Sequence, residues 1–282
     1  MIVFLNGRYV DEGAARISIF DQGFLYGDGV YETMRTYRGK LWRVDAHLKR
    51  LEKSLDVAGM KLPYAGARLI DQIRLLIRKN GFREARVRVM VTRGASESKG
   101  ARFAPKASAK ATVCIVCYPL PVFTGKEKLR EVSVDFFPVE RAFPTVKTIS
   151  LFPMVMARMH AYQRELYDVL LVDREGYVSE GAVSNVFVVR RGVLYTPRKG
   201  ILMGVAREVV LRVARRLVRG KKLKKIVYCF FKKSFVRGAD EVFLSNAPAG
   251  VVAVTKIGGK VVGKGRVGTL TKAVFEGFRE RL

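Results

Sequence analysis

The sequence predicts a mixed α/β fold divided into two domains. Three observations carry this reading. The chain has 282 residues, enough for two medium domains. Segments of helical period are interleaved with strand-like runs. A stretch with two prolines and little periodicity, "YPLPVFTGKEK", separates two sets of such segments and reads as a linker. The expected division is a small α+β domain at 1–118, a linker at 119–128 and a larger domain at 129–282.

The first residues, "IVFLNGRYV", read as a hairpin turning at Asn6-Gly7, a turn that suits right-twisted strands. A glycine-punctuated loop, "FDQGFLYGDGVYETMRTYRGK", follows. Leu48, Leu51, Leu55 and Ala58 form one helical stripe, with Asp45 as its expected cap and Gly59 as its end. A second helix, near 66–79, carries Leu69, Ile70, Ile73, Leu76 and Ile77 on one face. Strands near 85–93 and 110–118 complete the unit.

Beyond the linker, the pattern gives a strand near 130–138, a helix near 151–166 and a meander over 168–195 with glycine turns. It continues with helix 205–219, strand 226–230, a short helix near 233–237 and strand 241–245. A hairpin at Gly258-Gly259 and a final helix over 268–281 close the chain.

Lys and Arg number 53 against 25 acidic residues, a formal net charge of +28. Such a balance fits nucleic acid, an anionic membrane or acidic ligands. The basic residues are spread along the chain, with one dense cluster running from Arg219 to Lys225 and on to Lys233. No aromatic-basic RNA signature, zinc-finger spacing or long basic helix accompanies them, so the charge reads as a solvated basic surface.

Cys114, Cys117 and Cys229 are too few for a disulfide framework. The first two fall in the strand-like "ATVCIVCY", where residues three apart face opposite sides, so they read as core residues without a metal. The N-terminus has no basic-then-apolar leader pattern and no run reaches membrane-spanning length, so a soluble cytoplasmic protein is expected.

Four local features remain. "GILMGVARE" places Gly200 and Gly204 just before a helix start, whose N–H groups suit a phosphate, though an ordinary strand-to-helix turn accounts for it equally well. Arg50 in "DAHLKRL" lies off the apolar stripe of its helix. Lys147 sits between an apolar strand end and a helix with Ser150 as its expected cap and Pro153 in its first turn. A lysine at an apolar wall is suited to Schiff-base formation and proton transfer. Glu180 in "YVSEGAVSNVFVV" is an acid in an otherwise apolar or small stretch.

Taken in order, "FDQGFLYGDGVYETMRTYRGK", "DAHLKRLEKS", "KTISLFPMVMAR", "YVSEGAVSNVFVVRRGVLYTP" and "ILMGVAR" resemble the class IV (fold-type IV) pyridoxal-phosphate aminotransferases. That family includes branched-chain aminotransferases, D-amino-acid aminotransferases and aminodeoxychorismate lyases. The resemblance implies two α/β domains, the second built around a barrel-like sheet, with pyridoxal 5'-phosphate between them. It also implies a homodimer.

By that resemblance Lys147 carries the cofactor as a Schiff base and moves the substrate proton. Glu180 is the carboxylate that keeps the pyridine nitrogen protonated, without which the ring is a poor electron sink. Arg50 and the backbone N–H groups of Val205 and Ala206 match the phosphate cup. Asn246 and Ala247, in "FLSNAPAG", stand where relatives often carry a threonine pair. Tyr31, Thr33 and, more loosely, Arg93 match positions near the substrate.

The chain departs from the family pattern in places. Ala206 and Ala247 remove phosphate-facing hydroxyls, Phe152 replaces a tyrosine common in branched-chain enzymes, and Met154 replaces an asparagine. "TRGASESKGARF" lacks the arginine-and-histidine trap of D-amino-acid enzymes, with Lys99 or Arg102 as the substitutes on offer.

The expectation is a transaminase moving the amino group of an L-branched-chain or other apolar amino acid to a 2-oxo acid such as 2-oxoglutarate. The alternatives are an aminodeoxychorismate lyase releasing 4-aminobenzoate and pyruvate, a D-amino-acid aminotransferase, and a basic nucleic-acid-binding protein on a retired fold.

Overall fold

The structure is a computed structural model that describes residues 1–95 and 110–282. Lys99 and Arg102 lie outside the described residues. The chain forms two compact units, Met1–Thr124 with Val146–Leu151, and Gly125–Thr145 with Phe152–Leu282. The stretch expected as a linker straddles the change of unit at Thr124. The six residues around Lys147 belong with the first unit, a return that sequence order does not reveal.

The first unit contains β1 (Ile2–Leu5), β2 (Arg8–Asp11), α1 (Gln22–Tyr26), β3 (Gly29–Tyr37), β4 (Lys40–Leu41), α2 (Val44–Val57), α3 (Gly66–Lys79), β5 (Ala85–Thr92) and β6 (Thr112–Pro119). Its sheet runs β2-β1-β6-β5-β3-β4, antiparallel throughout. Asn6 and Gly7 both take positive φ at the β1–β2 turn, as a two-residue hairpin of matching twist requires.

Leu48, Leu51 and Leu55 of α2, and Leu69, Ile73 and Leu76 of α3, pack in one core with Phe4, Val30, Met34, Val87 and Val89. Even-numbered residues of β3 therefore face α2, and odd-numbered ones line the opposite face.

Three local expectations need correction. The glycine-punctuated loop contains α1 and β3. Asp45 lies inside the first turn of α2, whose N-cap is Arg43 in a left-handed conformation without a side-chain cap. The Ser150 hydroxyl donates to Gly27 O at 2.9 Å, so it ties the 146–151 segment to the α1–β3 turn and does not cap a helix.

The second unit contains β7 (Glu131–Pro138), α4 (Phe152–Gln163), β8 (Asp168–Val172), β9 (Val178–Gly181), β10 (Asn185–Arg190), β11 (Val193–Thr196), α5 (Val205–Arg219), β12 (Lys225–Tyr228), α6 (Lys233–Arg237), β13 (Glu241–Asn246), β14 (Gly250–Ile257), β15 (Lys260–Val261) and α7 (Thr269–Arg279). The sheet order is β12-β11-β10-β13-β14-β7-β8-β9, with β15 on β14, and it curls as a half-barrel. Parallel pairs occur at β11/β12, β14/β7 and β7/β8.

Every residue of β8 is buried, as is β10 up to Arg190, which explains their unbroken apolar runs. Among the described residues no helix is long and apolar enough to cross a membrane.

Candidate active site

Two groups of functional side chains form, one in each unit. In the first, Val146–Leu151 pairs with the start of β3. Tyr31 N–H donates to Lys147 O at 2.8 Å, Ile149 N–H donates to Gly29 O at 3.0 Å, and Val30 bridges Thr148. This backbone pairing sets Lys147 Nζ 4.4 Å from the centre of the Tyr31 ring. Arg88, on β5, holds its guanidinium carbon 4.4 Å from the same ring. Its Nε is buried without a hydrogen-bond partner among the described residues. An aromatic plate flanked by an amine and a guanidinium suits a small substrate bearing a carboxylate.

On the other face of β3, Glu32 is fully buried. Arg50 donates to it from Nε at 2.6 Å and from Nη2 at 2.8 Å. His47 Nδ1 lies 2.8 Å from its Oε2. Burial pushes the Glu32 carboxyl up, but the hydrogen bonds of Arg50 and His47 and the charge of Arg50 override it and hold the group at about 2. Burial, aided by the charges of Arg50 and Lys147, pushes His47 below its usual value despite Glu32. A neutral His47 therefore donates through Nδ1, and its buried Nε2 has no partner among the described residues. Arg50 is thus a fixed cation, half-sunk beside a buried anion.

The second group centres on Glu180, at the end of β9 and 2% exposed. Arg141 Nε donates to its Oε1 at 2.6 Å. Leu202 N–H donates to Oε2 at 3.1 Å and Asn185 Nδ2 donates to the same atom at 3.0 Å. These three groups are all donors, an environment for an anion. Behind it, Asp168 is fully buried and accepts from Ser184 Oγ at 2.7 Å, fixing the turn between β9 and β10.

Helix α5 opens at Gly204 without a side-chain cap, with Val205 and Ala206 in its first turn. A Cβ on Gly204 would meet Asn185 Oδ1 at 2.2 Å, so only glycine lets the chain pass this closely.

The remaining expected residues are placed as follows. Thr33 is half-buried on the Tyr31 face of β3. Arg93 is bound to Asp28 through Nε at 2.5 Å and Nη2 at 3.2 Å, and to Ala58 O at 2.8 Å. Asn246 Oδ1 accepts from Ala249 N at 2.7 Å, which closes a turn around Ala247. Phe152 is exposed and Met154 buried on α4. Glu32, His47, Arg88 and Arg141 were missed by sequence reasoning. "YET" and "DAHLKR" held a signal for the first two, an acid and a histidine at strand and helix positions that pattern alone leaves unpaired.

These residues fit pyridoxal 5'-phosphate. In the first unit a lysine amine lies on an aromatic ring and a fixed arginine suits a phosphate; in the second, taken by itself, an uncapped helix start suits a phosphate and a buried carboxylate among donors suits a protonated ring nitrogen. The fold and these groups define an enzyme of amino-group chemistry.

The chain belongs to the amino-transferase class IV family, whose model matches residues 29–257, and is a pyridoxal-phosphate-dependent aminotransferase. It is 32% identical over 288 residues to a putative branched-chain-amino-acid aminotransferase of Methanocaldococcus jannaschii, covering 99% of this chain and 96% of that one. It is 31% identical to a D-alanine aminotransferase of Staphylococcus epidermidis, with the same two coverages, 99% and 96%. Among solved structures it is similar to the branched-chain aminotransferase of Thermoproteus uzoniensis solved with norvaline, at a TM-score of 0.85 and 28% identity, covering 99% of this chain and 94% of that one. It is likewise similar to the Escherichia coli branched-chain amino acid aminotransferase in fold, with a TM-score of 0.85 at 24% identity and coverages of 97% and 91%.

Proposed function

We propose that the enzyme takes its amino group from an L-branched-chain or other apolar amino acid and passes it to a 2-oxo acid such as 2-oxoglutarate. The Tyr31 ring between Lys147 and Arg88 carries this reading. It offers an apolar surface for an aliphatic side chain, an amine to move a proton and a cation for a carboxylate. The branched-chain names of similar proteins support the donor class.

When bound, the cofactor supplies an electron sink for the substrate α-carbon. Lys147 would hold it through Nζ and, once displaced by substrate, would carry the proton at that atom. Arg50, oriented by Glu32, would hold the phosphate, as would the N–H groups of Val205 and Ala206. The 246–249 turn, with Asn246 and Ala247, contributes backbone donors to the phosphate or to the substrate carboxylate. Glu180 would accept from the protonated ring nitrogen. Tyr31 and Thr33 contact substrate, and Arg93 supports them by fastening Asp28 at the entry to β3.

The enzyme is proposed to act as a homodimer in the cytoplasm. Helix α4 supports the dimer because it is apolar on both faces. Met154, Ala157 and Ala161 are buried, whereas Phe152, Val155, Met156, Met159 and Tyr162 are exposed. The basic residues of α5 and the turn after it, from Arg212 to Lys225, are read as a solvated surface.

The visible spectrum of the protein with pyridoxal 5'-phosphate, before and after L-valine, L-leucine, L-isoleucine or D-alanine, tests the reading. Conversion to the pyridoxamine form by L-branched-chain donors is expected. Conversion by D-alanine alone overturns the donor class, and pyruvate release from an aminodeoxychorismate without any oxo-acid acceptor overturns transamination in favour of the lyase.

A further inference from the structure

Arg141 is a part-buried cation that the assignments above do not use. Its side chain is 12% exposed and touches that of Glu180, itself 3% exposed. Nε donates to Glu180 Oε1 at 2.6 Å, while Nη2 donates to Ala182 O at 2.9 Å. The guanidinium is therefore anchored to the β9–β10 turn as well as to the carboxylate, and the turn is itself fixed by Asp168.

We infer that Arg141 is a positioning residue that keeps Glu180 anionic, so that the proton shared between Glu180 and the cofactor's ring nitrogen stays on the nitrogen. The inference rests on the reading of Glu180 as the partner of that nitrogen.

The sign follows from distance. Two arrangements compete, an anionic Glu180 facing a protonated nitrogen and a neutral Glu180 facing an unprotonated one, with one proton passing from nitrogen to Oε. Arg141 stands in direct contact with the carboxylate, and a protonated nitrogen bonded to that carboxylate would sit farther from the guanidinium, because the two cations repel. Attraction to the near negative charge exceeds repulsion from the farther positive one, and burial magnifies the difference. Leu202 N–H and Asn185 Nδ2 act in the same direction, because both donate to Oε2 and favour the anion. A neutral carboxyl group at this place gives up a charge-assisted bond.

The test uses the full-length protein loaded with pyridoxal 5'-phosphate carrying 15N in the ring, read by nitrogen NMR at neutral pH. The wild type is expected in the protonated range. Arg141→Gln, which keeps a donor but no charge, is expected to shift toward the unprotonated range, and Arg141→Lys to return it. A protonated nitrogen in folded Arg141→Gln overturns the inference. Glu180→Gln separates the two levels. If it leaves the resonance where it was, the reading of Glu180 fails; if it moves the resonance and Arg141→Gln does not, only the role of Arg141 fails. Should Arg141→Gln not fold, the wild type decides, since release of the ring proton anywhere in the neutral range overturns the inference.

Discussion

Lys147 and Tyr31 are joined twice, by a backbone hydrogen bond of 2.8 Å from Tyr31 N–H to Lys147 O and by the 4.4 Å approach of Nζ to the ring. The backbone bond makes the second contact a consequence of strand pairing. The lysine is therefore aimed by main chain, which a side-chain substitution leaves in place.

Lys147→Ala should accordingly melt close to the wild type, within about 0.5–1 kcal/mol, because the strand pairing that holds the segment is kept. Multi-turnover transamination should disappear. Thermal melts alongside a 2-oxoglutarate-coupled assay check both halves, and turnover like the wild type would remove Lys147 from the chemistry.

Acidification should weaken the first unit in two stages. His47 is held below its usual 6.5 in the fold, so stability is complete above pH 6.5 and falls as the unfolded chain gains a proton below it. Glu32 is held at about 2 against a usual 4.5, so its contribution is complete above 4.5 and is lost as pH falls toward 2. Urea melts across this range should show both stages in the wild type and lack the first in His47→Gln.

Glu32→Gln should cost about 3–5 kcal/mol, since it leaves Arg50 beside a buried neutral group. It should also weaken binding of the cofactor, because Arg50 loses its orienting partner. Calorimetric titration of pyridoxal 5'-phosphate into the folded variant reads the second effect, and unchanged affinity would disconnect Arg50 from the phosphate.

Gly204→Ala places a Cβ 2.2 Å from Asn185 Oδ1, which is far inside contact distance. A loss of about 1–3 kcal/mol is expected from the forced shift. Asn185 also donates to Glu180, so cofactor affinity should fall with stability in the same variant.

Met156→Glu combined with Met159→Glu should convert a dimer to a monomer in light scattering while leaving the inner face of α4 packed. A monomeric wild type would show that the outer apolar stripe has another use.

Much of this was legible in the sequence, and the failures have physical causes. Helices α3 and α5 follow from one apolar stripe each, and the Asn6-Gly7 and Gly258-Gly259 hairpins from glycine turns. Strand β3 was hidden because Glu32 occupies a core-facing position, and an acid there breaks the alternation that marks a strand. Its compensation lies in Arg50 and His47, on an element that no local window includes. Arg141 was hidden differently, as one basic residue among 53. Only its contact with the buried Glu180 distinguishes it.

The route of the chain has a consequence of its own. It leaves the first unit at Thr124, returns for Val146–Leu151 and leaves again at Phe152, so a single cut cannot divide it into two self-sufficient pieces. A fragment ending at residue 124 loses the segment that pairs with the start of β3, and the complementary fragment carries Lys147 with no strand to aim it. Splitting or grafting this enzyme by halves would separate Lys147 from the strand that aims it, which makes the unit of inheritance for this arrangement the whole chain.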